Sequence, residues 1–444
     1  MDGSKIPQVP IGGSFTHLGK LFEFEMKNKL AKSEICNKLE QLLKITSNLK
    51  VAAQTKLKIL KRYIHSQLQF ELKIYPLGTT WIEQNMDASC TRHVRSWLDM
   101  PISSCINEVM ALPAEKCGLN IPSFKDTSEK LWLQKRHSLK TSAHPLMNQL
   151  WSETSAKNIP SDELLIVSSN LNQAVKNLKK KQNKSSENMF FSLECQGILS
   201  KTVVESVKKA NIITWSNTLT IMPEPVYNFA RKAMQQQLPT AANLARWKKT
   251  SDASCQLCNS GKPQTNKHVL SNCGSLAALE RYKRRHNGIL ETLADWLASA
   301  LSSSQSLFVD ITSEKFHPVG AVFRATARPD TVIRHDSELF VLELTVCHES
   351  NLVPSRAYKL NKNKYKNLSH HLNNEYKHYT IRLFTLEVST LGFVSDTDEF
   401  TTALGLSKLP NSVIQTVIRQ ALFNSFTIYC DRNNGTGANN LVIR

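Results

Sequence analysis

The sequence contains no apolar run approaching the ~20 residues a membrane span needs, so no membrane partner is expected. It has no Gly-x4-Gly-Lys-Ser/Thr phosphate loop and no Gly-x-Ser-x-Gly nucleophile elbow, which removes the simplest nucleotide-hydrolase and serine-hydrolase readings. No internal repeat is present. Acidic residues are short, 37 against 56 Lys and Arg, leaving a net charge of +19 and a pI near 9.5. A surplus of that size favours a polyanionic partner, nucleic acid first and an anionic membrane surface second. Met1-Asp2-Gly3-Ser4-Lys5 leads into no apolar signal segment, from which an intracellular protein is expected. The ten cysteines are scattered, with only three close together. That pattern implies reduced thiols and one metal site, not a disulfide framework.

At 444 residues, 41% hydrophobic and 21% charged, the chain has an ordinary globular composition and room for roughly two to four domains. Gly12 to Gly19 reads as a turn and a short strand. Lys29 to Leu72 is helical, with apolar stripes at Leu39, Leu42, Leu43 and Ile45 and again at Leu57, Ile59, Leu60, Ile64 and Leu68. Beside the second stripe, Lys56, Lys58, Lys61 and Arg62 form either a solvated face or one that meets nucleic acid. A further helix is expected from Trp81 to Leu98, stopped by Met100-Pro101. Ser128 to Ala253 stays mostly helical; its lysine-rich segment from Lys176 to Asn188 reads as a basic surface loop or a basic helix end.

Cys255-Gln256-Leu257-Cys258, then His268 and Cys273, give C-x2-C-x9-H-x4-C. A C-x2-C turn aims two thiolates at one point, and zinc takes four such ligands in a tetrahedron. The short loop between the pairs favours a structural Zn2+ over a catalytic one. Arg281, Lys283, Arg284, Arg285 and His286 follow at once, a basic patch suited to phosphates.

After Ser302-Ser303-Ser304-Gln305-Ser306, strand signals take over at Leu307 to Ile311, Val322 to Ile333, Leu339 to Val346 and Ile381 to Val388, with helices at Pro354 to Tyr376 and Ser412 to Tyr429. Strands alternating with helices predict a compact α/β domain from about residue 305. Within it, Asp330 stands at the mouth of one strand and Glu343 inside the next, with twelve residues between them and a turn at His335-Asp336-Ser337. Alternation puts Leu339, Val341, Glu343 and Thr345 on one face. A carboxylate in an apolar register needs a partner or a metal. Two such carboxylates on neighbouring strands suit a divalent metal for phosphodiester hydrolysis, assisted by a lysine. Position 345, where that lysine is usual, is Thr. On the following helix Lys364 falls in the stripe of Ala357, Leu360, Leu368 and Leu372, facing the sheet or snorkelling to solvent; spacing turns Lys359, Lys362 and Lys366 elsewhere, but does not by itself decide which lysine is catalytic. Glu349 is a weaker metal candidate, and His370-His371 reads as a surface or packing pair.

Several motifs in order resemble the C-terminal part of the polyprotein of site-specific non-LTR retrotransposons carrying a restriction-like endonuclease. Phe15-Thr16-His17-Leu18-Gly19 is similar to the segment after the reverse-transcriptase palm. Arg92 to Pro101, with Arg95, and Cys117 to Pro122 resemble the thumb signature. Leu238-Pro239-Thr240, Asn243-Leu244 and Arg246-Trp247 resemble the linker before the knuckle, and Arg285-His286-Asn287 the segment after it. Arg328-Pro329-Asp330, Glu343 and Lys364-Tyr365 are similar to the endonuclease motif, whose lysine also lies on the helix.

The resemblance implies an α+β multidomain chain: palm end and helical thumb over 1–125, helical linker over 126–250, CCHC knuckle and basic helix over 251–300, and a PD-(D/E)xK-type endonuclease over 305–444. It implies structural Zn2+ on Cys255, Cys258, His268 and Cys273, and catalytic Mg2+ on Asp330 and Glu343. Lys364, Arg328 and Tyr365 complete the catalytic set, and Arg92, Arg95, Arg246, Arg281, Arg284, Arg285 and His286 contact nucleic acid. The expected partner is target DNA, with element RNA a further one, in the nucleus. The palm's Tyr-x-Asp-Asp has no counterpart, so nicking without polymerisation is expected; the alternative is a nucleic-acid-binding remnant without catalysis.

Overall fold

A computed structural model describes residues 9–17, 19–25, 27–155 and 160–434. The side chains of 154, 155, 160–162, 363 and 364 lie outside the described set. The protein is an α+β multidomain chain that divides into two compact units, Met1–Pro113 with Gly118–Phe190, and Ala114–Cys117 with Phe191–Arg444.

The first unit opens on an antiparallel hairpin, β1 (Ser14–His17) and β2 (Lys20–Glu23). Helix α1 (Lys29–Asn48) buries Ala31, Ile35, Leu39 and Leu43, a three-and-four spacing that makes one apolar stripe. Helix α2 (Ala53–Ile59) runs through a π turn at Leu60–Ile64 into α3 (His65–Ile74). Helix α4 (Ala88–Trp97) and α5 (Phe124–Thr141) follow. The start of α5 is fixed twice. Ser123 accepts from the Asp126 amide at 2.9 Å, and the Asp87 carboxylate accepts from the amides of Phe124 and Lys125 at 2.6 and 3.2 Å, satisfying donors that a helix N-terminus leaves open. Lys176 to Asn188 falls inside α6 (Leu171–Phe191), which buries Ala174, Leu178 and Phe190. The lysine-rich stretch is therefore the exposed side of a helix and not a loop: charge density hid the apolar period beneath it.

The second unit holds α7 (Lys209–Leu219), α8 (Glu224–Met234), α9 (Ala241–Arg246) and α10 (Leu276–Ala300), then a five-stranded sheet. Its strands are β3 (Ser306–Val309), β4 (His317–Pro318), β5 (Thr331–His335), β6 (Glu338–Cys347) and β7 (Thr380–Ser389). Their order is β4-β3-β5-β6-β7. β5 and β6 form the expected hairpin, closed at Asp336-Ser337 with Asp336 at φ 49°, a left-handed turn position that Asp tolerates. β6 and β7 are parallel, so the chain crosses over between them through α11 (Leu352–Asn361). Helix α12 (Asn411–Cys430) packs on α10. On the Glu343 face, Leu339, Val341, Val332, Phe323, Leu368 and Leu372 form the core.

Two strand and helix expectations are corrected. The strand expected from Val322 begins only at Thr331; before it lie a 3-10 turn at Val319–Ala321 and irregular chain around Pro329, which cannot donate to a ladder. The helix expected from Pro354 to Tyr376 ends at Asn361, with Lys362 extended (φ −67°, ψ 132°). The Asn361 side chain donates to the Ala357 carbonyl at 3.0 Å, and such back-bonding favours a helix end. Short helical pieces at Asn363–Lys366, Leu368–His371 and Asn374–Tyr376 replace the single rod.

His65 gives the first unit a testable pH dependence. Its ring stacks on Phe124 at 4.2 Å, and burial pulls its pKa down to about 4. Folding therefore holds it neutral, while the unfolded chain protonates it near its ordinary value. The unfolded state binds the extra proton between these values, so this contribution is complete above pH 6.5 and is lost as pH falls towards 4, by roughly 3 kcal/mol in all. In His65→Phe that part of the acid destabilisation is expected to disappear, read as a smaller change in the first unit's urea midpoint between pH 7 and 4.5. An unchanged pH slope would refute the assignment.

Candidate functional site

Two clusters in the second unit bring together residues singled out by the sequence. The first is built by a knuckle. Ser254 and Pro263 bridge in antiparallel fashion, the Cys255 amide donates to the Lys262 carbonyl at 2.9 Å, and the loop between turns through Asn259 (φ 48°) and Gly261 (φ 68°). His268 opens a π turn, His268–Asn272, that delivers Cys273. A π turn brings residues five apart together, which is the separation of this ligand pair. The ligand atoms of Cys255, Cys258, His268 and Cys273 all lie within 4.8 Å of one another. Cys255 Sγ and Cys273 Sγ are 4.0 Å apart, and Cys258 Sγ is 3.5 Å from His268 Nε2. Zn–S bonds of 2.3 Å in a tetrahedron separate sulfurs by about 3.8 Å, so the set fits zinc. Burial raises the Cys255 thiol, whereas the Ser260 hydroxyl, 3.0 Å from Cys258 Sγ, helps pull Cys258 down to about 6. Tyr282, from α10, clamps the ligand loop: its hydroxyl accepts from the Cys273 amide at 3.2 Å and donates to the Val269 carbonyl at 2.7 Å.

The second cluster is at the hairpin. The β5–β6 register pairs Thr331 with Leu342, and its continuation sets Asp330 beside Glu343. Asp330 Oδ2 accepts from the Leu344 amide at 2.8 Å, and Oδ1 lies 3.4 Å from His286 Nε2. Burial pulls His286 down, but its hydrogen bond to Asp330 and the charge there outweigh that, and its pKa is raised overall. Glu343 is 2% exposed. Its Oε2 accepts from Lys359 Nζ and from Tyr365 Oη, both at 2.6 Å. Burial, with the charge of Asp330 behind it, raises the Glu343 pKa against the pull of Lys359. Glu343 Oε1 is buried without a hydrogen-bond partner among the described residues. Oxygen ligands of this kind suit a hard divalent cation, and the open Oε1 beside Asp330 fits one.

The lysine at this cluster is Lys359, which helical spacing had turned away. The stripe that pointed to Lys364 assumed one continuous helix, and α11 stops before it. Lys364 lies in Asn363–Lys366, and its side chain is outside the described residues. A usable signal was present: Ser355 and Lys359 stand three and seven residues after the buried Leu352, on the same helical face. Arg328 stays 56% exposed and pairs with Asp310. Glu349 is no metal candidate: its carboxylate accepts from Thr390 Oγ1 at 3.0 Å and from the Leu391 amide at 2.8 Å.

The basic patch after the knuckle is divided by the helix that carries it. Arg281 is 5% exposed and donates to the carbonyls of Asp431 and Asn434; Arg285 is 1% exposed and donates to Ser425 Oγ at 2.9 Å. Both are internal anchors and do not meet phosphate. Four-residue steps to Ile289, Leu293 and Leu297 place them in the apolar stripe of α10. Lys283 and Arg284, on the other face, are exposed. Arg246 is exposed at the end of α9. In the first unit, Arg92 is 68% exposed and lies 3.6 Å from Glu40, whereas Arg95 is half-buried with Nε 3.4 Å from Ser104 Oγ.

Purified protein is expected to hold one zinc per chain by elemental analysis. Cys273→Ser should lose it, and Tyr282→Phe should weaken zinc affinity about 10- to 100-fold, the usual effect of removing a group that orients the ligands. Unchanged affinity in Tyr282→Phe, measured by chelator competition, would show that the clamp is dispensable.

Comparison with known families gives one match, over residues 198–279, to the family described as zinc-binding in reverse transcriptase. No curated protein matches the chain. The matched segment contains all four ligands and ends in the first turn of α10: the chain carries a zinc-binding module similar to that of reverse-transcriptase proteins.

Proposed function

We propose that the 305–444 segment is a metal-dependent DNA endonuclease that nicks one strand of a chromosomal target in the nucleus, with element RNA as a further ligand of the chain. The observation that carries this reading is the hairpin register that sets Asp330 beside Glu343, with Lys359 Nζ 2.6 Å from the latter. The zinc-binding module, of a kind associated with reverse transcriptase, supports a setting in which nucleic acid is handled. A divalent cation held by Asp330 and Glu343 supplies Lewis-acid polarisation of a phosphate oxygen and a bound water of lowered pKa.

The chain's own residues do the rest. Tyr365 donates to Glu343 Oε2 and keeps that carboxylate turned inward. His286 and the Leu344 amide hold Asp330 by its two oxygens. Lys359 carries a positive charge to the edge of the site, where it balances the carboxylates and is placed to stabilise charge building on phosphate oxygens. The reaction is hydrolysis: a water oxygen bonds to phosphorus, the bond to the 3′ oxygen breaks, and that oxygen takes up a proton. Exposed Lys283 and Arg284, on the helix that brings His286 to Asp330, offer phosphate contacts beside the site.

Supercoiled DNA incubated with the protein in Mg2+ is expected to be nicked. Asp330→Asn and Glu343→Gln should each lower the rate by at least about 10²-fold, and Lys359→Met by about 10²-fold, while Lys364→Met keeps most of it. A loss in Lys364→Met with Lys359→Met active would reassign the lysine. Salt-dependent DNA binding with no cleavage by the wild type in Mg2+ or Mn2+ would leave the binding remnant as the correct reading.

A further inference from the structure

One carboxylate on the face of Glu343 is used by none of the chemistry above. Glu387 lies on β7 opposite Thr345, and Thr385 lies opposite Glu343. The parallel ladder runs in unbroken register from Glu338↔Thr380 to Cys347↔Ser389, so all four side chains share one face of the sheet. Glu387 is 1% exposed. Its Oε1 has no hydrogen-bond partner among the described residues, and the same holds for Glu343 Oε1 and the hydroxyls of Thr345 and Thr385. These are four buried, unpartnered oxygens on adjacent positions of two strands. Buried polar groups are seldom left this way singly, and four together mark a place built for something that binds oxygen.

The charges identify what it is. Glu387 makes no ion pair among the described residues, and the two donors near Glu343, Lys359 and Tyr365, both go to its Oε2. A lysine at position 345 would have stood opposite Glu387; that position is Thr, and the lysine of this site comes instead from α11 to the other oxygen of Glu343. An all-oxygen set with two carboxylates is the ligand chemistry of a hard divalent cation that keeps part of its water shell.

We propose that Glu343 and Glu387 hold a second divalent cation of the Mg2+ or Mn2+ class, with the hydroxyls of Thr345 and Thr385 bonding its water. Glu387 is thereby a third metal-binding carboxylate beside Asp330 and Glu343. The first cation position rests on the endonuclease reading; the second rests on the orphaned oxygens. Two cations sharing Glu343 would flank one phosphate, the arrangement that stabilises both the entering and the leaving oxygen of a displacement.

The test is a titration of the zinc-loaded full chain with Mn2+, the free ion being followed by electron paramagnetic resonance, alongside a nicking assay in the same metal. The wild type is expected to bind two Mn2+ with a spin-coupled signal, and Glu387→Gln one without it. Asp330→Asn keeps one, at the Glu343–Glu387 pair. Glu387→Gln should nick at least about tenfold more slowly at saturating Mn2+. A single Mn2+ per wild-type chain that Asp330→Asn abolishes, or two retained in Glu387→Gln, overturns the proposal. The wild-type count together with that of Asp330→Asn decides the matter even if Glu387→Gln does not fold: one Mn2+ that survives Asp330→Asn leaves this site standing. Two bound Mn2+ without nicking would sink the endonuclease reading and leave this site standing. Nicking that needs Asp330 and Glu343 but not Glu387, with one bound Mn2+, does the reverse.

Discussion

A carboxylate that is 2% exposed in the middle of a sheet is the constraint on which the second unit is arranged. Glu343 interrupts a strand whose preceding inward residues, Leu339 and Val341, are fully buried in the core. Leaving it uncompensated would cost more than the surrounding apolar contacts return. Compensation comes from two directions at once, Lys359 on the crossover helix and Tyr365 beyond the helix break, while the ladder position that brings Asp330 alongside adds a second carboxylate to be balanced. Lys359 and Tyr365 act on one oxygen only, which leaves the other without a partner among the described residues. The break in the helix at Lys362 is part of this arrangement, since a single rod through Tyr376 would not have sent Lys359 and Tyr365 to the same atom.

Much of this was legible in the sequence because it depends on spacing within short elements. The two-residue turn between His335 and Glu338 fixes the register, and the register alone brings Asp330 to Glu343. The Cys-x2-Cys and His-x4-Cys pairs are equally local, and residues 255–273 fold as their spacing predicts. What was not legible depends on where a helix ends. Lys364 looked inward only on the assumption that Leu360 and Leu368 belonged to one helix; Asn361 and Asn363, poor helix formers that compete for backbone partners, flank the point where it stops. Glu387 drew no attention because its meaning lies in the parallel pairing of β6 with β7, two strands separated by a crossover that no local pattern registers.

Net charge misled in a different way. The +19 surplus invites the view that every arginine cluster faces a phosphate. Several do not. Arg231 is 5% exposed, donates to the Cys117 carbonyl at 3.0 Å and lies against the Trp215 and Tyr227 rings. Arg281 and Arg285 close α10 onto the end of α12. Each donates inward to a carbonyl or a hydroxyl, and each is subtracted from the surface available to a polyanion. What remains outside is lysine-rich: the solvent side of α6, the Lys56-to-Arg62 segment, and Lys283 beside Arg284.

Helix α10 ties the zinc-ligand cluster and the carboxylate cluster into one mechanical system. It begins at Ser275, which caps it by accepting from the Ala278 amide at 3.2 Å, two residues past the zinc ligand Cys273. Tyr282 reaches back to the ligand loop, Arg281 and Arg285 hold the same stretch against α12, and His286 ends on Asp330. From Cys273 to His286 is thirteen residues, about 20 Å if helical throughout. From the knuckle, Lys267 Nζ also reaches Asn351 Oδ1 at 3.0 Å, at the entry to the crossover helix that carries Lys359. Losing zinc would free the cap of α10 and the Lys267 tether together, and both lead to residues that touch Asp330 or Glu343. The knuckle is therefore structural in a specific sense: it fixes the near ends of the two helices whose side chains, His286 and Lys359, hold the carboxylates of the hairpin.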